Sequence, residues 1–154
     1  MAACAAASFE SEPNLPVPEP SGFEPRRVRL VSVRAHRAPS GQCRAEVELQ
    51  VAEGQQVVGR REGHAIALGD LRVVAEATIE ALHRCAVTGH RFELLGVKTV
   101  RAFDETVVLA QVAVVEGRGP TRLVGAAMGG DDLPRAAVLS VLNATNRVLG
   151  HLPD

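Results

Sequence analysis

The residues best suited to chemistry lie in one short stretch near the C-terminal end, Gly129-Gly130-Asp131-Asp132, with Pro134 two residues beyond it. The two carboxylates can accept hydrogen bonds from the amides of a helix first turn, and proline suits that turn because it needs no amide there. Paired glycines let the backbone approach a bound molecule closely, and amides at a helix start can bind an anion. The stretch therefore predicts a helix start that is either a plain strand-to-helix connection or a ligand-binding loop.

A second stretch of the same kind, Leu68-Gly69-Asp70, opens another apolar pattern with the three-and-four spacing of an amphipathic helix. If these stretches bind a small metabolite, its carboxylate would lie against the amides that follow the glycines, and its ammonium group would pair with an aspartate. The residues of this predicted site are Leu68, Gly69, Asp70, Met128, Gly129, Gly130, Asp131 and Asp132, with Val124 and Leu71 as further aliphatic walls.

Each predicted helix follows three strand-like runs, so the chain contains one β-β-β-α unit twice. The runs are residues 28–35, 45–51 and 56–60 in the first unit and residues 92–100, 106–115 and 121–127 in the second. Gly59 in the third run of the first unit corresponds to Gly125 in the second. These patterns predict an α+β fold with antiparallel-type sheets, helices packed on one face, and repeats that cover residues 26–88 and 89–154.

The two units differ in how their strands alternate. Residues 45–51 alternate apolar and polar side chains, which is typical of a strand with one solvated face. Residues 106–115 are almost continuously apolar, which indicates that both faces of that strand are covered. One face is expected to pack on the helices, and the other needs either the opposite unit or a second chain. We therefore expect a homodimer, with a central strand buried wholly within one subunit as the alternative.

Composition argues against nucleic acid as a partner. The chain has 154 residues, a formal net charge of −1, four Phe and no Trp or Tyr. The basic residues from position 26 onward exceed the acidic ones only slightly, and aromatic side chains for base stacking are not interleaved with them.

The remaining motif classes are also missing from the sequence. Cys4, Cys43 and Cys85 form no CxxC pair, and the histidines lack metal-ligand spacing, so no metal or other cofactor is expected. Neither a nucleophile elbow, a P-loop nor a dinucleotide fingerprint occurs, and adjacent aspartates at a helix start are more often caps than an acid–base pair. The sequence therefore predicts a protein that is not an enzyme.

The N-terminal residues 1–25 are rich in proline and acidic residues and are expected to form a disordered tail. The tail lacks the basic start and apolar centre of a signal peptide, and the chain contains no apolar run long enough to span a membrane. We therefore expect a soluble, cytoplasmic protein, in which the tail is a linker or a docking segment for a protein partner.

Beyond these patterns, the second helix resembles a known family. Asp132-Leu133, the small pair Ala136-Ala137, and Asn143, Ala144 and Asn146 match its motif. With the repeated β-β-β-α order, residues 27–150 resemble the C-terminal regulatory (allosteric, dimerisation) domain of 2-isopropylmalate synthase and citramalate synthase. That family's catalytic (β/α)8 barrel needs about 250 residues, which this chain does not have.

The resemblance implies a regulatory-type domain that binds a feedback amino acid, leucine in the synthases, at the two helix starts between paired domains. The chain departs from the family before its first helix, where a glycine-rich loop ending in Gly-Pro is replaced by Ala65-Ile-Ala-Leu-Gly-Asp70. Two hypotheses follow. The first is a non-catalytic homodimer that binds a small amino acid or keto acid, for example a branched-chain amino acid. The second is a structural or protein-interaction module that keeps the fold for dimerisation without a ligand.

Overall fold

The computed structural model describes residues 28–51, 54–64, 68–85 and 90–149. The expected disordered tail at residues 1–25 lies outside these described residues, as does most of the loop that precedes the first helix.

Two successive β-β-β-α units form the described chain, which confirms the predicted repeat and the α+β fold class. The first unit contains β1 (Arg29–Arg37), β2 (Gln42–Gln50), β3 (Gln56–His64) and α1 (Gly69–Arg84). The second contains β4 (Arg91–Ala102), β5 (Glu105–Glu116), β6 (Gly119–Met128) and α2 (Leu133–Leu149).

Each unit forms its own three-stranded antiparallel sheet, with order β1-β2-β3 in the first sheet and β4-β5-β6 in the second. Helix α1 packs on β2 and β3, and α2 packs on β5 and β6. The helices also contact each other, and each reaches the first strand of the other unit. The two units therefore share one hydrophobic core, built mainly from Val, Leu and Ala.

The closest approach between a helix and its sheet occurs at equivalent glycines of the two units. A methyl group added to Gly59 would lie 2.6 Å from the amide nitrogen of Ala81, and one added to Gly125 would lie 2.6 Å from the amide nitrogen of Ala144. Each would also clash with a helix carbonyl oxygen. The predicted correspondence between Gly59 and Gly125 is therefore a packing requirement, because any side chain there would push the helix off the sheet.

The strands are longer than the sequence runs indicated. Strand β3 continues to His64 instead of ending near Arg60, and β6 spans Gly119 to Met128. Cross-strand ion pairs accompany the extra length of β3, since Arg44 on β2 bonds Glu62 beside it. Arg60 and Glu62 therefore lie on the exposed face of a strand rather than in a loop, whereas Arg61 lies on the helix side, with its Nε 3.4 Å from Glu80 Oε2 on α1.

Candidate functional site

The start of α2 is held together by its own residues. The Arg135 amide donates to Asp132 Oδ1 at 3.0 Å, and the Asp132 amide donates to the Gly129 carbonyl at 3.0 Å. The Gly129 amide donates to the Thr106 carbonyl on β5 at 2.7 Å. Asp132 is thus an N-cap, and one amide of the predicted anion site is already occupied within the fold.

The glycines of this stretch have conformational and packing roles. A methyl group on buried Gly129 would lie 2.8 Å from the Thr106 carbonyl oxygen, and Gly130 has a φ of 48°, in the left-handed region that glycine favours. Asp131 is exposed beside them. Each feature that suggested a ligand loop in the sequence therefore also fits a tight strand-to-helix connection.

The aliphatic residues expected to line this site lie elsewhere. Met128 and Val124 alternate along β6 with Ala127 and Leu123, which pack against the core on the helix side. Met128 is 50% exposed and Val124 is 55% exposed, on the face of the sheet that points away from α2. These two side chains belong to the outer face of the second sheet.

The start of α1 has a different construction. Its N-cap is Leu68, which has a φ of 66°, makes no side-chain capping bond and is 46% exposed, whereas Leu71 is buried in the core. Asp70, which follows Gly69 in the first turn, lies near Arg37 at the end of β1, with 3.7 Å between Oδ1 and Nε. Asp70 Oδ1 is buried without a hydrogen-bond partner, since 3.7 Å is too long for one. This helix start is therefore less completely satisfied than that of α2.

Two buried thiols in the first unit are protected from reaction. Burial raises the pKa of Cys43, and the neighbouring Asp70 carboxylate raises it further. Burial also raises the pKa of Cys85 to about 11, and its Sγ donates to the Ala81 carbonyl at 3.2 Å. Because the thiolate is the reactive form, both cysteines are structural at neutral pH.

The asparagines of the second-helix motif have unequal surroundings. Asn143 Nδ2 donates at 2.8 Å to the carbonyl of Ala126 on the edge strand β6. Asn146 Oδ1 is buried without a hydrogen-bond partner. Asn143 thus ties α2 to the sheet edge, which is a structural role.

The outer face of the first sheet is charged and internally paired. Glu46 on β2 lies between Arg34 on β1 and Arg60 on β3, at 3.8 and 2.7 Å, and Arg44 bonds Glu62 at 2.6 Å. The hydrogen bond from Arg60 is the main cause that lowers the pKa of Glu46. A shallow groove on this face is lined by these same paired charges. The face is suited to contact with water.

By contrast, the outer face of the second sheet is largely apolar. Along β5, the side chains that point to this outer face alternate with side chains that are buried beneath the helices, namely Val108, Ala110, Val112 and Val114. We define the apolar outer face by five cross-strand rows from β4, β5 and β6: Val100-Val107-Met128, Lys98-Leu109-Ala126, Gly96-Gln111-Val124, Glu93-Ala113-Arg122 and Arg91-Val115-Pro120. Val124, Met128, Val115 and Val100 are between 40% and 55% exposed. On β5 itself, the outward Val115 is 44% exposed, whereas the outward Val107 and Ala113 are buried. The central strand is therefore not wholly buried within the described chain, and dimerisation stays a prediction.

Two features of this face are not apparent from sequence periodicity. A β-bulge between Leu94 and Gly96 reverses the alternation along β4, and it brings Gly96, Lys98 and Val100 to the outer face. Phe103 and Asp104 form the tight turn to β5 with φ values of 54° and 60°, and Phe103 is 91% exposed. The one sequence signal for this face was the unbroken apolar run of β5, which predicted that a partner covers its second side.

The structure does not unite the two predicted helix starts into one bonded site. Within the described ranges, no hydrogen bond or ion pair joins residues 68–70 to residues 128–132. Nor does this part of the chain contain a group of three or more His, Cys, Asp or Glu residues placed to hold a metal ion. None of its helices combines the length and the apolar character needed to cross a membrane. Comparison with protein-family models and with curated proteins found no match to the chain.

Proposed function

We propose that this chain is a non-catalytic domain of the regulatory type whose function is to dimerise, through the apolar outer face of its second sheet. The observation that supports this proposal is the exposure of Val100, Val115, Val124 and Met128 on one continuous sheet surface. Monomeric proteins seldom leave a large contiguous apolar patch in water, and such patches mark interaction sites.

The first sheet serves as an internal reference for this argument. An antiparallel sheet commonly has one face on the core and one face solvated by polar side chains, and the first sheet follows that rule. The second sheet does not, although both sheets carry a helix in the same way. Covering apolar surface is favourable by about 25 cal/mol per Å². Burial of this face against a partner would therefore stabilise the complex through the hydrophobic effect.

The resemblance to the regulatory domain of 2-isopropylmalate synthase supports the same proposal, because that domain also dimerises. The tandem β-β-β-α order agrees with it. Our proposal includes a cytoplasmic location, where unpaired thiols such as Cys43 and Cys85 persist. Docking of another protein to residues 1–25 stays a prediction from sequence.

A second candidate function, binding of a small amino acid, is favoured by one observation at the start of α1. The Arg37 guanidinium and the Asp70 carboxylate lie close together, with 3.7 Å between Nε and Oδ1. Asp70 Oδ1 has no hydrogen-bond donor. An amino acid carries a carboxylate that suits Arg37 and an ammonium group that suits Asp70. Any such ligand would act here as a regulator of the dimer.

Sedimentation velocity across a wide concentration range tests the primary proposal. A dimer at micromolar concentration is expected, and a monomer at every concentration would contradict it. Thermal unfolding against a panel of amino acids and 2-keto acids tests the second candidate, because a ligand at a hundred times its dissociation constant stabilises the folded state by about 2.7 kcal/mol. Arg37→Gln should abolish a selective shift, whereas Arg44→Gln on the first outer face is the matched control.

A further inference from the structure

We propose that two copies of this chain pack through their apolar outer faces about a two-fold axis that runs along β5, with Gln111 at the centre. The inference rests on the proposed dimerisation and specifies which residues meet. It follows from the shape and charge of the five rows that cross the face.

The centre of the face is a single uncharged polar side chain. Gln111 lies in the middle of the outward residues of β5, between Leu109 and Ala113, with Gly96 and Val124 beside it on the neighbouring strands. A carboxamide carries both a donor and an acceptor, so it can pair with an identical carboxamide across a two-fold axis. One polar pair in an apolar interface fixes its register, as a buried asparagine does in a coiled coil.

Shape gives the direction of the axis. A two-fold axis along β5 places β4 of one copy opposite β6 of the other. Each β4 residue then faces the β6 residue of the same row in the second copy. A Cβ atom added to Gly96 would meet nothing within 4 Å, whereas Val124 in the same row is 55% exposed. The projecting Val124 of each copy then lies over the open position at Gly96 of the other.

The other rows are complementary under the same operation. Met128 of one copy lies over Val100 of the other, and Arg122 lies over Glu93. The small Ala126 faces Lys98, whose long side chain can extend to the rim. Apolar residues therefore meet in the Val100 row and opposite charges meet in the Glu93 row, while Arg91 at the end of the face lies over Pro120.

An axis across the strands gives a poorer match. It would superpose Val124 on Val124 and leave the open positions at Gly96 facing each other. It would also place Val100 against the second copy's Arg91. Met128 would still meet an apolar residue, Pro120, and Glu93 would meet Lys98 in place of Arg122. The pairing partner of Glu93 therefore distinguishes the two axes.

The size of the face is sufficient for a dimer. The face consists of three adjacent strands of 10 to 12 residues each. Its surface therefore measures about 35 Å along the strands by 14 Å across them, or roughly 500 Å². Two copies would therefore bury about 1,000 Å² in total, at the lower end for a specific protein–protein interface. With the axis along β5, both copies of Phe103 lie at the same end of the dimer.

Filling the open position tests the contact at Gly96. Gly96→Val is expected to leave the fold of the subunit intact, because the position has open space around an added Cβ atom and Val is favoured in strands. The same change should weaken the dimer about tenfold or more by displacing Val124. An unchanged dissociation constant would overturn this geometry while leaving the proposed function standing, whereas a monomeric wild-type protein would overturn the proposed function itself.

Charge exchange tests the row that contains Glu93. Glu93→Arg and Arg122→Glu should each weaken the dimer by about tenfold, because like charges then face each other twice. The double variant Glu93→Arg/Arg122→Glu should restore wild-type affinity. If Glu93→Arg/Lys98→Glu restores it instead, the axis along β5 is wrong. Far-UV circular dichroism and thermal unfolding establish that each variant is folded.

A distance measurement tests the axis directly. Spin labels at Asp104→Cys, in a background with Cys4→Ser, report the separation of the two hairpin turns by double electron–electron resonance. An axis along β5 predicts a separation of roughly 10–25 Å, and an axis across the strands predicts about 46 Å, from a rise of about 3.3 Å per residue. The longer distance would overturn the proposal.

Discussion

The two sheets of this protein share strand order, pairing direction and helix packing, but their outer faces differ in chemistry. On the outer face of the first sheet, three salt bridges join neighbouring strands: Arg34–Glu46, Arg60–Glu46 and Arg44–Glu62. The second sheet carries Val, Leu and Ala on the corresponding surface. The two units therefore share the residues that core packing requires and differ in the residues on their outer faces.

This difference separates folding from association. The helix-side residues of both sheets must satisfy the same close packing, so Gly59 and Gly125 are kept at equivalent positions. The outer faces do not pack against a helix, so close packing does not restrict their side chains in the same way. We interpret the charged face as the side open to water and the apolar outer face as the side used for assembly.

The largest expected effect tests the equivalence of the two cores. Gly59→Ala and Gly125→Ala should each destabilise the protein by about 3 kcal/mol or more, because the methyl group meets helix backbone rather than a movable side chain. Urea unfolding measures both. Gly96→Ala is the matched control and should change stability by less than about 1 kcal/mol. A large loss at only one of the two core glycines would show that the units do not pack equivalently.

The second effect tests the difference between the outer faces. Val58 on β3 and Val124 on β6 occupy corresponding positions, each directly before the glycine that contacts its helix. Val124→Arg should weaken the proposed dimer about thirtyfold or more, the size of an interface hot spot, whereas Val58→Arg should leave it unchanged. Sedimentation equilibrium gives both dissociation constants. Equal weakening by both variants would remove the distinction between the faces.

The third effect compares the helix starts. Asp132→Ala should lose a cap worth about 0.5–2 kcal/mol, while Leu68→Gly should gain up to about 1 kcal/mol because Leu68 holds a left-handed φ of 66°. Thermal unfolding measures the two changes. If a metabolite binds at α2, Asp132→Ala must also abolish its binding. Loss of stability with unchanged ligand affinity would leave Asp132 as a cap alone.

The smallest effect concerns the charged face in acid. The Arg60 hydrogen bond lowers the pKa of Glu46 in the folded state, so its contribution to stability is present above the ordinary pKa of a glutamate. That contribution is lost as the pH falls through the lowered folded-state pKa. Glu46→Gln should therefore flatten the fall in unfolding free energy between about pH 5 and 3. An unchanged slope in this variant would contradict the role assigned to the Arg60–Glu46 bond.

Much of the local structure was predictable because its signals are local. Apolar periodicity predicted both helices, and the Gly129-Gly130-Asp131-Asp132 stretch predicted the α2 start, whose cap the structure confirms in the Arg135–Asp132 bond. The predicted ligand site at the two helix starts stays a prediction, because hydrogen-bonding capacity at a helix start looks the same in sequence whether a ligand or the fold itself uses it. Gly129 illustrates this, since its amide bonds Thr106 on a neighbouring strand.

The sequence by itself determined the two β-β-β-α units, the equivalent glycines and the unusual apolar run of β5, since these depend on periodicity and residue size. Only the tertiary structure decided which residues share the apolar outer face. The bulge at Leu94 and Gly96 shifts the alternation of β4 by one residue, and no side-chain pattern on one strand reveals such a shift. Exposure of Val124 and Met128 likewise depends on α2 covering the opposite face. Burial is a property of what packs against a residue, and that is set by the fold as a whole.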